Sequence, residues 1–163
     1  AVHQVFEAAY PDGNYPALYT ELGRYVTGPH GVLVTKVTQI KHAARNYAGV
    51  DASAADLMRP MMYGAYHHIS VSGKEGAKDR TPWDVVGAVC ENTDKFAQKR
   101  LLPELEPGDI LVIHDAGAHG HSMGYNYGGR LRCGEYLWTE DKTAVPLRRK
   151  ETIEDYLSTQ IFE

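Results

Sequence analysis

Cys90-Glu91-Asn92-Thr93-Asp94 joins a thiol to two acids in one short run. A thiol can give a proton or attack carbon, and a carboxylate can read an amine. Further along, His114-Asp115-Ala116-Gly117-Ala118-His119-Gly120 opens a glycine-rich polar loop that continues to Tyr125 and Tyr127. Such a loop offers backbone donors to an anion and aromatic rings to a flat ligand. His114, His119 and His121 carry nitrogens that suit Zn²⁺ or Fe²⁺, but the pattern places no carboxylate or fourth ligand beside them, and no metal site is assigned. In Glu21-Leu22-Gly23-Arg24 the glycine lets the backbone approach an anion, and Arg24 presents a two-pronged fork to phosphate or carboxylate. Arg59-Pro60-Met61-Met62-Tyr63 holds a guanidinium and a phenol suited to one small carboxylate ligand, with Pro60 disfavouring a helical Arg59. Each group alone also has a bland reading: a surface turn for Glu21 to Arg24, a packed ring for Tyr63, a small buried apolar residue for Cys90.

The elements that must position these groups are mostly strands. Residues 31–41 alternate β-branched and polar residues, and residues 68–72, 84–90, 109–114, 131–138 and 144–149 repeat that texture between Gly, Pro and Asp clusters. Strands at this spacing predict a β-barrel or sandwich. The reading puts Cys90 and Glu91 at the end of a strand, mounted on a rigid edge. Residues 3–9 read as the last turns of a helix stopped at Pro11-Asp12-Gly13-Asn14, residues 17–21 as a short extended stretch, and residues 151–157 as a short closing helix.

Composition narrows the class. The chain has 163 residues, 43% of them hydrophobic, enough for one ordinary core. A formal charge of −4 with scattered basic residues argues against nucleic acid or an anionic membrane as partner. There is no long apolar run and no signal-like start, which predicts a cytoplasmic protein. Two cysteines without CxxC spacing fit a reducing compartment. The absence of an initiator Met, with the pattern already under way at Ala1, suggests a piece of something longer.

Taken together, ELGRYVTGPHGVLVTKV, DLMRPMMYGAYH, CENTDKF and LPELEPGDILVIHDAGAHGHSMGYNYGGRLR, in that order, resemble the C-terminal part of the fold-type III pyridoxal-phosphate decarboxylases, most closely the diaminopimelate decarboxylases. The resemblance runs from about Tyr19 to about Asp155. It implies a mainly β fold, a Greek-key barrel or sandwich over residues 29–163, with residues 1–28 as the stub of a preceding β/α barrel. It implies pyridoxal 5'-phosphate as cofactor, with Glu21 facing the pyridine nitrogen and Gly23 and Arg24 serving the phosphate and substrate end. Leu22 replaces the family's proline there. Arg59 and Tyr63 match a segment that binds a substrate carboxylate. Cys90 and Glu91 match a segment donated across a homodimer interface, Cys90 as the catalytic acid and Glu91 reading the distal amino group; Asn92 replaces a serine. His119 stands beside the cofactor where a tyrosine is usual, and Tyr125 or Tyr127 are alternative sources of that ring. The implied activity of the longer parent is decarboxylation of meso-2,6-diaminopimelate to L-lysine. The Schiff-base lysine, the stacking histidine and the phosphate loop belong to the barrel, so this piece alone is expected to be inactive. Alternatives are a decarboxylase of ornithine, arginine, lysine or carboxynorspermidine, a metal-dependent β-barrel enzyme, or a non-catalytic dimerisation domain.

Overall fold

A computed structural model describes residues 2–161. Strand order in the main sheet is β3-β6-β1-β2-β4-β5, from β1 (Leu33–His42), β2 (Asn46–Val50), β3 (Ile69–Val71), β4 (Thr81–Val86), β5 (Lys95–Leu102) and β6 (Ile110–Ile113). Every neighbouring pair is antiparallel except β2 with β4. The two edge strands β3 and β5 approach one another, so the sheet curls into a nearly closed barrel, the mainly β architecture that the strand texture predicts. A separate hairpin, β7 (Glu135–Trp138) with β8 (Ala144–Arg148), is exposed along its whole length.

Alternation drives the core. Thr35 and Val37 of β1, Ile69 and Val71 of β3, Trp83 and Val85 of β4 and Leu111 and Ile113 of β6 point one way and are buried. Val50, Leu57, Phe96 and Leu102 complete the cluster. Burying a side chain of this size contributes about 1.5–3 kcal/mol. Among the described residues the α-helices are short: α1 (Val2–Ala9), α2 (Gly23–Thr27), α3 (Arg59–Tyr63) and α4 (Ile153–Tyr156). α4 starts on a Thr152/Asp155 capping box, which satisfies its first amides.

Residues 17–21 belong to no strand or helix. Two local readings change. Arg59 is helical after all, because Pro60 lies in the first turn of α3, where no N–H is needed and a proline is tolerated. β4 stops at Val86, not at Cys90. The cause is Asp94, whose carboxylate accepts the Val89 amide at 2.9 Å and pulls the backbone out of the ladder. Gly87 permits this, since a Cβ there would lie 2.3 Å from the Asp94 oxygens.

Candidate functional site

Two groups of side chains gather on the barrel. The first is built where residues 27–31 meet the loop after β6. Ala116 N–H donates to Gly31 O at 2.8 Å and Gly117 N–H to Gly28 O at 3.0 Å. The backbones lie so close that a Cβ on Gly117 would sit 2.1 Å from Thr27 O. Glycine is obligatory at such an approach. Asp115 and His119, on either side of the contact, both adopt left-handed backbone, φ 59° each, and both are exposed.

α2 leads into that contact and carries Arg24, whose stem crosses over Gly28. Opposite, α3 carries Arg59 and Tyr63. The Arg59 guanidinium donates from Nη1 to Nε2 of His67 at 3.0 Å. His67 is fully buried, and its Nδ1 lies 2.8 Å from the carbonyl of His114. A carbonyl only accepts, so Nδ1 holds the proton and Nε2 is the acceptor. Burial pushes the His67 pKa down, outweighing the His114 hydrogen bond, so the ring is neutral. The Arg59 pKa is also lowered, first by burial and then by the nearby charge of Arg24. Among the described residues neither guanidinium forms an ion pair. Two cations thus act on one another without a direct carboxylate contact, with Asp115 the carboxylate that also acts on His67, an arrangement that leaves room for an anionic ligand.

The second group is the loop between β4 and β5. Asp94, 3% exposed, accepts the amides of Ala54 at 2.8 Å and Val89 at 2.9 Å. Burial raises its pKa against the pull of those two hydrogen bonds. Anchored by it, Cys90 and Glu91 stand exposed at the tip of the loop. The Glu91 carboxylate folds back to accept the Thr93 amide and hydroxyl at 3.3 and 3.2 Å. Tyr125 lies beside this loop; burial, then Asp94 and Glu91, raises its pKa. Its hydroxyl meets Met61 Sδ of α3 at 3.8 Å, which links the two groups. No hydrogen bond or ion pair among the described residues joins Cys90 or Glu91 to Arg24 or Arg59.

Glu21, Gly23 and Arg24 are exposed, and a Cβ on Gly23 would meet nothing within 4 Å. Among the described residues no three His, Cys, Asp or Glu side chains are placed to hold a metal ion, and His114 spends its Nε2 on Ser70 Oγ at 2.8 Å. Sequence reasoning passed over His67. A signal existed: His67, Ile69 and Val71 share one face by a period of two, so a histidine on that face faces the core.

The family model described as pyridoxal-dependent decarboxylase, C-terminal sheet domain, matches residues 24–117. Protein TabA of Pseudomonas amygdali pv. tabaci is 49% identical over 156 residues, covering 96% of this chain and 37% of that protein. Diaminopimelate decarboxylase of Archaeoglobus fulgidus is 41% identical over 145 residues, covering 89% of this chain and 34% of that protein. The crystal structure of diaminopimelate decarboxylase from M. jannaschii superposes with a TM-score of 0.82 at 32% identity, over 99% of this chain and 37% of that one. The chain therefore spans little more than a third of the length of the relatives it matches.

Proposed function

This chain belongs to the pyridoxal-dependent decarboxylases, as a C-terminal sheet domain of that family, and from that premise we propose that it completes the active site of a longer enzyme that decarboxylates meso-2,6-diaminopimelate to L-lysine. The observation that carries the substrate reading is that Arg24 and Arg59 have no ion-pair partner among the described residues, Arg59 being held by the His67 ring at 3.0 Å. Diaminopimelate keeps a second carboxylate, which lysine, ornithine and arginine lack, and a guanidinium with no internal carboxylate partner suits it. Relatives at 41% and 44% identity are named diaminopimelate decarboxylase, which supports the same reading.

Residues 1–28 are assigned to the end of the cofactor-binding barrel and residues 29–163 to the sheet domain. The donor set at α2 fits pyridoxal 5'-phosphate: a carboxylate for the ring nitrogen, a glycine with open space around it and a guanidinium for an anionic group. When bound, the cofactor supplies an electron sink for the pair left by departing carbon dioxide. Glu21 keeps a proton on the pyridine nitrogen, because a neighbouring carboxylate favours the cationic ring. Gly23 and Arg24 would hold the phosphate and substrate end, and His119 would serve the ring. Arg59 and Tyr63 hold the distal carboxylate. Cys90 donates the proton to the reacting carbon, and Glu91, released from Thr93, reads the distal amino group. Cys90 and Glu91 enter from a second subunit, so the enzyme works as a homodimer in the cytoplasm. The Schiff-base lysine lies in the upstream half, and the 163 residues alone do not turn over substrate.

The test is turnover of meso-diaminopimelate, lysine, ornithine and arginine by the chain joined to its upstream half. Diaminopimelate is expected to exceed the others in kcat/KM by at least about 10³-fold, the loss expected when a site built around a charge meets a ligand without it. Equal or better turnover of a monocarboxylate substrate would reject the reading.

A further inference from the structure

We propose that His67 is a positioning residue that presents the Arg59 guanidinium to the substrate while leaving its charge unspent, an inference that rests on the role of Arg59 above.

Arginine at a binding site is commonly aimed by a carboxylate, which also cancels its charge. Here the aiming group is a neutral imidazole. His67 is fully buried, and three contacts fix it. Nδ1–H donates to His114 O at 2.8 Å, Arg59 donates to Nε2 at 3.0 Å, and Arg100 Nη1 donates to the His67 carbonyl at 2.8 Å. Arg100 in turn stacks 4.1 Å from the Tyr66 ring, so the chain on both sides of His67 is clamped. The His114 bond sets the tautomer, and the tautomer makes Nε2 an acceptor. One of the five N–H donors of Arg59 is used, which fixes the plane of the fork, and the rest stay available to a carboxylate. A protonated His67 would turn an N–H toward Arg59 and repel it, and burial opposes that state.

Two substitutions separate the contacts in the full-length enzyme. Asn places its amide near the Nδ1 position and keeps the bond to His114; Gln reaches the Nε2 position and keeps the acceptor for Arg59. His67→Asn is expected to raise KM for diaminopimelate about 10-fold, the equivalent of one lost hydrogen bond, with kcat nearly unchanged. His67→Gln is expected to retain most of the affinity. In the Arg59→Ala background His67→Asn should add nothing to KM, since the two act as one unit. Additive effects, or an unchanged KM in His67→Asn, would overturn the inference. Imidazole ¹⁵N spectra of the unsubstituted enzyme supply a readout free of both folding defects and activity. A neutral Nδ1–H tautomer is expected, and a cationic ring or an Nε2–H tautomer would overturn the assignment. Should Arg59→Ala itself leave KM unchanged, the substrate reading fails; should it raise KM while His67→Asn does not, only the role of His67 fails.

Discussion

A guanidinium held by an uncharged ring is a different instrument from one held by an acid, and the difference sets what each residue of the site is expected to do when removed. Arg59 is proposed to contribute binding, so Arg59→Ala in the full-length enzyme should weaken substrate binding by about 1.5–3 kcal/mol, seen in KM, for the loss of a charge-assisted hydrogen bond. Cys90 is proposed to move a proton, so Cys90→Ala should leave KM nearly constant and lower kcat by about 10²–10⁴. Steady-state kinetics on the two variants checks the contrast; matching changes in kcat and KM for both would remove the division of labour. At this scale the residues proposed for the site, Arg59, Cys90 and Glu91 among them, were picked out by type and order in the chain. What was not legible is how they are held. The imidazole behind Arg59 and the Thr93 contacts that occupy Glu91 arise from tertiary approach, which no spacing along the chain encodes.

At the scale of elements, the site depends on Gly31 and Gly117, which let two backbones touch. Gly117→Ala would drive a Cβ to 2.1 Å from Thr27 O, parting residues 27–31 from the loop after β6 with the loss of two backbone hydrogen bonds. Destabilisation of about 2–4 kcal/mol is expected from the overpacking and those bonds, and denaturant unfolding measures it; an unchanged midpoint would show that the contact yields freely. The segment before α4 gives a pH test. Glu151 accepts the Arg132 amide at 2.9 Å, Arg132 Nε at 2.6 Å and Asn126 Nδ2 at 2.6 Å. These bonds, led by the Arg132 amide, hold its carboxyl below the usual glutamate range. A depressed carboxylate stabilises the fold above its unfolded pKa and ceases to do so as pH falls through the folded one. Melting of Glu151→Gln against the unsubstituted chain should therefore show a constant gap from about pH 6 upward that narrows as acid is added; a gap independent of pH would refute the coupling. Strands with alternating β-branched residues, β1 and β6 above all, were readable. β5 was not, because Lys95-Phe96-Ala97-Gln98-Lys99-Arg100-Leu101-Leu102 carries helix-favouring residues. It becomes a strand by pairing with β4, with Lys99 bulged at φ 48° and its amide captured by Asp84 at 2.8 Å. β2 is too short and too poor in branched residues to declare itself.

For the whole molecule, the proposal that Cys90 serves the site of a second subunit has a direct assay. Mixing full-length Cys90→Ala subunits with subunits lacking the Schiff-base lysine should restore activity, since each heterodimer then contains one site wholly wild type. No recovery after proven subunit exchange would place Cys90 in its own subunit's site. The barrel class was legible from strand texture, whereas the strand order was not, because pairing depends on long-range approach. The parallel pairing of β2 with β4 also carries a consequence in time. Parallel neighbours need a long crossover, and here residues 51–80 form it, with α3 and β3 inside. The β1–β2 and β4–β5 hairpins can close locally, but Arg59 and His67 ride on the crossover and meet the loop after β6 only once distant strands have found each other. Loop closure over such separations is slow. During refolding Trp83 would thus be buried between hairpins before any anion could be recognised, and the binding face would be the last part of the barrel to exist.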